Sequence, residues 1–298
     1  MTPYDQAQSD QLRTGLIDYH CSTRALPGLQ SDGALECYVS QLIDSIRRVK
    51  YVSIRSQREI SPNRADPSSD FFDPLLAALH HQRSGDIEEA FWLIYLFTHF
   101  GLSARHGWSL VRAVYGGLGQ RCWTWNAITT DLPEFQEWVD GVANTLPGAF
   151  GNHRKYESKR QIARCVGSYV EWVRPFGSHT GLISATSSVA ASSGVPHFRV
   201  LFNALNSVGR FGRTAKFDYL AMLGKTELAP IRPDALYLIG STGPISGARR
   251  MFGSPASANQ IDDWLMELAD ALGIGAQEME DSICNWQKSP TQFERFRG

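Results

Sequence analysis

Three stretches of the chain gather side chains capable of acid/base or phosphate chemistry. In Phe150-Gly-Asn-His-Arg-Lys-Tyr-Glu-Ser158, an imidazole, two cations, a phenol and a carboxylate follow one another directly. A helix starting near Asn152 would offer free backbone N–H groups beside Arg154 and Lys155, an anion site suited to phosphate. His153 and Glu157 are four apart, so on one helical face the carboxylate would orient the imidazole for proton transfer. The second stretch is Gly209-Arg-Phe-Gly-Arg-Thr-Ala-Lys-Phe-Asp-Tyr-Leu-Ala-Met-Leu-Gly-Lys225, where Arg210, Arg213 and Lys216 precede Asp218, the only acid between Glu171 and Glu227. A lone carboxylate among cations can act as nucleophile, general base or stabiliser of a developing cation. The third is Met279-Glu-Asp-Ser-Ile-Cys-Asn-Trp-Gln-Lys-Ser-Pro290, in which Trp286 could stack a base while Asn285, Gln287 and Lys288 donate to base edges or phosphate. Each has a competing structural reading: a capped helix start, a surface pair between Asp218 and Arg213 or Lys216, and a closing helix with Trp286 in the core.

Charge places the first two stretches together. The 298 residues carry 29 basic and 30 acidic side chains, but residues 150–225 alone hold 11 basic and 3 acidic ones, between flanks of net −5 and −4. A block of +8 is the electrostatic footprint of a polyanion-binding face, or else a segment that pairs with its acidic neighbours. Five widely spaced cysteines without a CxxC pair indicate neither a zinc finger nor a disulfide framework, which fits a reducing cytoplasm. No cofactor motif or metal template is present, the apolar run Ala90–Phe97 is too short to span a bilayer, and the start of the sequence lacks a signal-peptide pattern.

The elements that must position these residues are helices. Apolar residues recur at three- and four-residue spacing through Leu35–Val49, Pro74–His81, Ile87–Phe100, Trp108–Leu118, Phe135–Val142 and Ile162–Val173. The pattern continues in Phe198–Val208, Phe217–Leu223, Ile261–Leu272 and Met279–Trp286, so an all-α chain of about ten or eleven helices is predicted. Tyr51–Ile54 is the best strand candidate, and Glu59–Ser69 and Ser178–Ser193 read as loops. Residues 1–34 read as an N-terminal extension of one helical domain over 35–298. Its finer division is a lobe of 35–149 with the C-terminal helices and a basic, DNA-facing lobe of 150–225. The Gly-bearing turns Leu272-Gly-Ile-Gly275 and Leu146-Pro-Gly-Ala-Phe-Gly151 could each clamp a phosphate between helices.

The segments 150–158, 212–225, Gly240-Ser-Thr-Gly-Pro244 and 279–290, with Tyr95–Tyr115, resemble the alpha-glutamyl/putrescinyl thymine pyrophosphorylase family, clade 3, over roughly residues 35–290. The resemblance implies a helical DNA-glycosylase-like fold of the helix-hairpin-helix type and action on modified pyrimidines of phage-type DNA. By that likeness Asp218 is the leading catalytic carboxylate, with Glu157 and Asp281 as rivals, and His153 or Lys155 contacts the base or leaving group. Arg154, Arg213, Lys216 and Lys225 hold phosphates, Tyr156 or Trp286 stacks, and Asn152, Arg210, Asn285 and Lys288 complete the candidate substrate and DNA contacts. One departure from the glycosylase pattern is that its hairpin precedes the catalytic Asp, whereas Gly273-Ile-Gly275 follows Asp218.

These features lead to a cytoplasmic DNA glycosylase that extrudes and hydrolyses off a bulky modified pyrimidine, needs no cofactor, and serves antiphage defence. Its partner would be double-stranded DNA carrying modified bases, with no membrane and no obligatory protein partner. Two alternatives stay open. One is an amine transferase that displaces pyrophosphate from activated 5-hydroxymethyluracil in DNA with putrescine or glutamate, and the other is a non-catalytic reader of modified DNA.

Overall fold

The computed structural model describes residues 3–295, with the backbone alone for Pro3–Asp5 and Asn152. The described residues are all-α. Fourteen α-helices run as α1 (Pro3–Ser22), α2 (Ala34–Ser56), α3 (Pro74–Arg83), α4 (Ile87–Phe100), α5 (Ser109–Tyr115), α6 (Trp125–Thr130) and α7 (Leu132–Val142). They continue as α8 (Ile162–Val173), α9 (His179–Ser193), α10 (His197–Ala204), α11 (Arg213–Lys225), α12 (Gly243–Phe252), α13 (Ala258–Leu272) and α14 (Ala276–Trp286). Among the described residues the only β-type pairing is an isolated bridge between Ser103 and Gly107.

Four helices escape the apolar periodicity: α1, the six-residue α6, the Ser- and Ala-rich α9 and the Gly- and Arg-bearing α12. They account for the excess over ten or eleven. Helix α9 corrects the loop assigned to Ser178–Ser193. Ser178 caps it, accepting from the Gly181 N–H at 2.9 Å, and Gly194 closes it in the left-handed region at φ 69°. Tyr51–Ile54 is likewise not a strand but lies inside α2.

The chain divides into two compact units, residues 1–54 with 233–297, and residues 55–232. The first unit has its own core, in which Leu12, Leu16 and Tyr19 of α1 are buried with residues of α2, α13 and α14. Leu26, Leu29 and Ala34 join the same core. Gly247 lets α12 approach α14 closely, because a Cβ there would meet the Ile283 carbonyl oxygen at 2.4 Å. The second unit joins residues 55–149 to the basic block 150–225, so the lobe boundary read from charge is not a boundary of packing.

Helix α4 is the axis of the second unit. Its run Ala90–Leu96 is buried on every face, as an all-round apolar helix must be in water. A buried hydrogen-bonded chain ties it to α8, α9 and α11: Tyr219 Oη to Tyr169 Oη (2.8 Å), Tyr169 Oη to His179 Nε2 (2.7 Å), and His179 Nδ1 to Glu88 Oε2 (2.7 Å). Burial pulls the His179 pKa down and keeps the ring neutral, so Nδ1–H donates to the carboxylate and Nε2 accepts from Tyr169. Burial alone would raise the Glu88 carboxyl, but the bonds from His179 and Thr180 hold it down at about 2. By fixing Tyr219 inward, this chain sets the rotation of α11 and turns the preceding residue, Asp218, out of the core.

Candidate active site

The geometry at Asp218 begins with the C-terminal end of α4. The last carbonyls of a helix have no intrahelical donor and carry partial negative charge. Here the Gly151 N–H donates to the Phe100 oxygen at 2.8 Å, and Arg154 Nε donates to the Thr98 oxygen at 3.0 Å. The approach requires glycines. A Cβ on Gly151 would lie 2.7 Å from both the Gly101 carbonyl carbon and the Leu102 oxygen, and Gly101 itself takes φ 66°. The 151–154 segment and the helix end thus cross backbone to backbone, and Arg154 is delivered into the interior with its side chain 4% exposed.

The far end of that guanidinium lies 3.7 Å from Asp218 Oδ2. The Asp218 side chain is 44% exposed, yet desolvation by surrounding protein is the largest influence on its titration and raises it above the ordinary aspartate value. The carboxylate therefore reaches water while the protein packed around it opposes its ionisation. Arg154, His153, Arg213 and Lys225, in that order, oppose the rise. The outcome is a carboxylate more basic than usual and ringed by positive charge. Such a group can take a proton from water or face a developing cation.

The basic stretch around it is not the helix that its spacing predicts. Residues 152–154 form a single 3-10 turn, so His153 and Glu157 do not share a helical face. Glu157 instead has a side chain only 2% exposed and accepts from Arg210 Nε at 2.6 Å, which makes it the anchor of Arg210 rather than a partner for an imidazole. Arg210 also donates to the Tyr156 carbonyl at 3.3 Å, and so enters the site already paired. Lys155 and Tyr156 are exposed, Tyr156 at 62%. Arg213 lies with its guanidinium carbon 4.9 Å from the Phe217 ring centroid, and Lys225 ends the same helix as Asp218. The Asn152 side chain lies outside the described residues.

Lys216 corrects another expectation, because it is buried rather than extended toward solvent phosphate. Its ammonium donates to Asn206 Oδ1 and sits 5.0 Å from the Phe202 ring centroid, and burial lowers its pKa. It lines a cleft of about 430 Å³ with Tyr156, Glu157, Asn206, Arg210 and Phe211.

The three candidates near the C-terminus belong to the first unit and serve it structurally. Trp286 is 0% exposed, donates through Nε1 to the Pro290 oxygen at 2.9 Å and packs edge-on against Tyr38 at 5.5 Å, so it cannot stack a base. Asn285 is buried, bonded to the Asp281 carbonyl at 2.9 Å and accepting from Lys288 Nζ at 2.9 Å. The rival acid Asp281 is engaged by Arg48 and Asn285. The Gly273-Ile-Gly275 turn does join two helices, with Gly273 as a left-handed cap at φ 65°.

Spacing analysis missed the residues that hold the site. Thr98 and Phe100 act through main-chain oxygens, for which no side-chain signal exists. His99 beside them is driven by burial down to about 3 and stays neutral, stacked on Tyr95 at 5.5 Å. Among the described residues no cluster of metal-ligating side chains occurs, and no helix is long and apolar enough to cross a membrane.

A family model described as alpha-glutamyl/putrescinyl thymine pyrophosphorylase clade 3 matches residues 33–298. Neither a curated protein nor a solved structure matches the chain.

Proposed function

The chain belongs to the alpha-glutamyl/putrescinyl thymine pyrophosphorylase family, clade 3, and from that premise we propose that it is a DNA glycosylase acting on a modified pyrimidine in duplex DNA. The observation that carries this reading is the Asp218 carboxylate: accessible, of raised basicity, with Arg154 at 3.7 Å and with His153, Arg213 and Lys225 near enough to act on its titration. Hydrolysis of an N-glycosidic bond passes through a sugar with oxocarbenium character, and a carboxylate stabilises that charge while accepting a proton from the attacking water. The base must leave the stack for its sugar to reach such a carboxylate. The helical DNA-glycosylase-like fold, the cytoplasmic location and the antiphage role are parts of the same proposal.

In this scheme Arg154 keeps Asp218 ionised and oriented, while His153 contacts the departing base. Arg213 and Lys225 hold the phosphates flanking the extruded nucleotide, joined from the exposed turn by Lys155 and Asn152, with Tyr156 stacking at the rim. Lys216 and Arg210 line the neighbouring cleft. No acid other than Asp218 remains available within the basic block: Glu157 is occupied by Arg210 and Glu171 by Arg174. A pocket for a cationic amine would need several free acids, which favours hydrolysis over amine transfer.

The family name itself favours a second reading, in which an amine such as putrescine or glutamate displaces pyrophosphate from an activated thymine-type base. The two readings part at the product. Purified protein is incubated with unmodified DNA and with DNAs bearing hydroxymethylated, glycosylated, aminated and pyrophosphorylated pyrimidines. Release of free base with alkali-labile sites supports hydrolysis. Incorporation of labelled amine without abasic sites supports transfer, and salt-dependent binding without product leaves a reader of modified DNA.

A further inference from the structure

We propose that the turn Gly116-Gly-Leu-Gly-Gln-Arg121, with the indole of Trp123 behind it, is a binding site for a phosphate group. It uses no residue of the basic block 150–225, and it stands independently of the glycosylase reading.

A buried indole N–H normally finds an acceptor, because an unmade bond leaves the group desolvated for nothing. Trp92 and Trp286 follow the rule, donating to the main-chain oxygens of Trp123 and Pro290 at 2.9 Å each. Trp123 breaks it: the residue is 2% exposed, yet its Nε1 has no hydrogen-bond partner among the described residues. That nitrogen faces Gly117 on the side where glycine has no side chain. A Cβ there would lie 3.4 Å from Nε1 and 3.5 Å from the adjoining ring carbon Cδ1, so glycine keeps uncovered a donor that another residue would block.

The turn adds donors of its own. Gly116, at φ −81° and ψ 4°, is followed by Gly117 and Leu118 at φ 55° each, the right-handed then left-handed order that gathers successive N–H groups into an oxyanion nest. The Gly117 and Leu118 N–H groups donate to no acceptor among the described residues. Leu118 bears a side chain and still sits in the left-handed region, a strained conformation of the kind that collects at binding turns. Arg121 supplies the charge. Its guanidinium carbon lies 4.5 Å from the Trp123 ring centroid, and it pairs with Glu134 through Nη1, leaving Nε and Nη2 for an anion. The C-terminal end of α5 does not stand against this, because the Arg112 and Tyr115 carbonyls already accept from the Gly116 and Trp123 N–H groups at 2.9 and 2.7 Å. Indole, main chain and guanidinium all donate, which is what the oxygens of an ionised phosphate require.

The test follows the indole N–H resonances of the eight tryptophans in isotope-labelled protein, with Trp123→Phe identifying the signal of interest. At constant ionic strength, inorganic phosphate is expected to move the Trp123 signal downfield and to saturate in the low-millimolar range, while chloride leaves it in place. Arg121→Gln, a change at an exposed side chain, should raise the Kd for phosphate at least about fivefold. Gly117→Ala should abolish the shift by covering Nε1. The other indole signals report whether this variant, strained by its φ of 55°, is folded, and Arg121→Gln decides if it is not. A Trp123 signal that phosphate leaves in place, that moves as far with chloride, or that answers phosphate equally in wild type and Arg121→Gln overturns the assignment. An unmodified DNA duplex then separates the sources. A shift that duplex reproduces and phosphate competes away assigns the site to a strand phosphate, and one that inorganic phosphate alone produces assigns it to a free phosphate. No base release enters the measurement, so failure of the glycosylase reading leaves it decisive.

Discussion

Arg154 performs two tasks at once, and its replacement separates them. Arg154→Met keeps most of the buried stem and removes the charge. At 3.7 Å and an effective dielectric of about 20, the guanidinium and the Asp218 carboxylate attract by about 4 kcal/mol. Because the Asp218 side chain is 44% exposed, solvent screening reduces this to about 1–2 kcal/mol. Arg154 lowers the Asp218 pKa, so its loss lets burial raise that pKa further. Base release requires the ionised carboxylate, so the acidic limb of the pH–rate profile moves to higher pH in Arg154→Met. Arg154→Lys, which keeps the charge but not the planar fork, returns the limb part of the way. The variant also leaves the Thr98 carbonyl without its donor, which lowers unfolding free energy by about 2 kcal/mol and is read independently from urea titration. An acidic limb that stays in place in a folded Arg154→Met protein refutes the electrostatic role assigned to this arginine.

Three other perturbations test the architecture. Gly151→Ala inserts a methyl 2.7 Å from the Gly101 and Leu102 backbones without any φ strain, so it forces the Arg154 turn outward. It should cost about 1–3 kcal/mol in thermal unfolding and more than about tenfold in activity. Glu89 is 3% exposed, and burial raises its pKa to about 7 despite bonds from Tyr115 Oη and the Trp125 N–H. Its folded pKa exceeds the unfolded value, so its contribution is complete below pH about 4.5 and fades as pH rises through about 7. Wild type should lose up to about 3 kcal/mol relative to Glu89→Gln between those limits, measured by urea unfolding across pH. Trp286→Phe should lower stability while leaving DNA affinity unchanged, and a selective loss of binding would restore a stacking role.

Periodicity was enough to show an all-α chain because long helices with an apolar stripe announce themselves, as α2, α8 and α13 do. It failed at α9, where Ser and Ala carry the helix and few apolar residues are buried, at α12, whose buried face of Pro244, Gly247, Ala248, Met251 and Phe252 is partly Pro and Gly, and at α1, where Leu12, Leu16 and Tyr19 mark only the second half of a twenty-residue helix. Asp218 was legible as the one acid in a basic stretch. Its partner was legible only as one of many cations. What singles out Arg154 is a main-chain crossing between Gly101 and Gly151, distant in sequence, and no local pattern encodes a carbonyl acceptor. The His153 and Glu157 pairing failed for a related reason, because the four-residue rule presumes a helix that the Gly151 crossing prevents. Trp286 shows the remaining ambiguity: an aromatic amid polar neighbours reads as a stacking platform until its packing against Tyr38 is seen.

The central claim is that Asp218 drives scission of a base–sugar bond. The most direct measurement is mass spectrometry of the products formed by wild type and Asp218→Asn on a panel of modified duplexes, with DNA affinity measured alongside. The account predicts free modified base in equal amount to abasic sites with wild type, and neither with Asp218→Asn, which still binds. Base release that persists in Asp218→Asn, or a base that stays on the strand with an altered substituent, contradicts it.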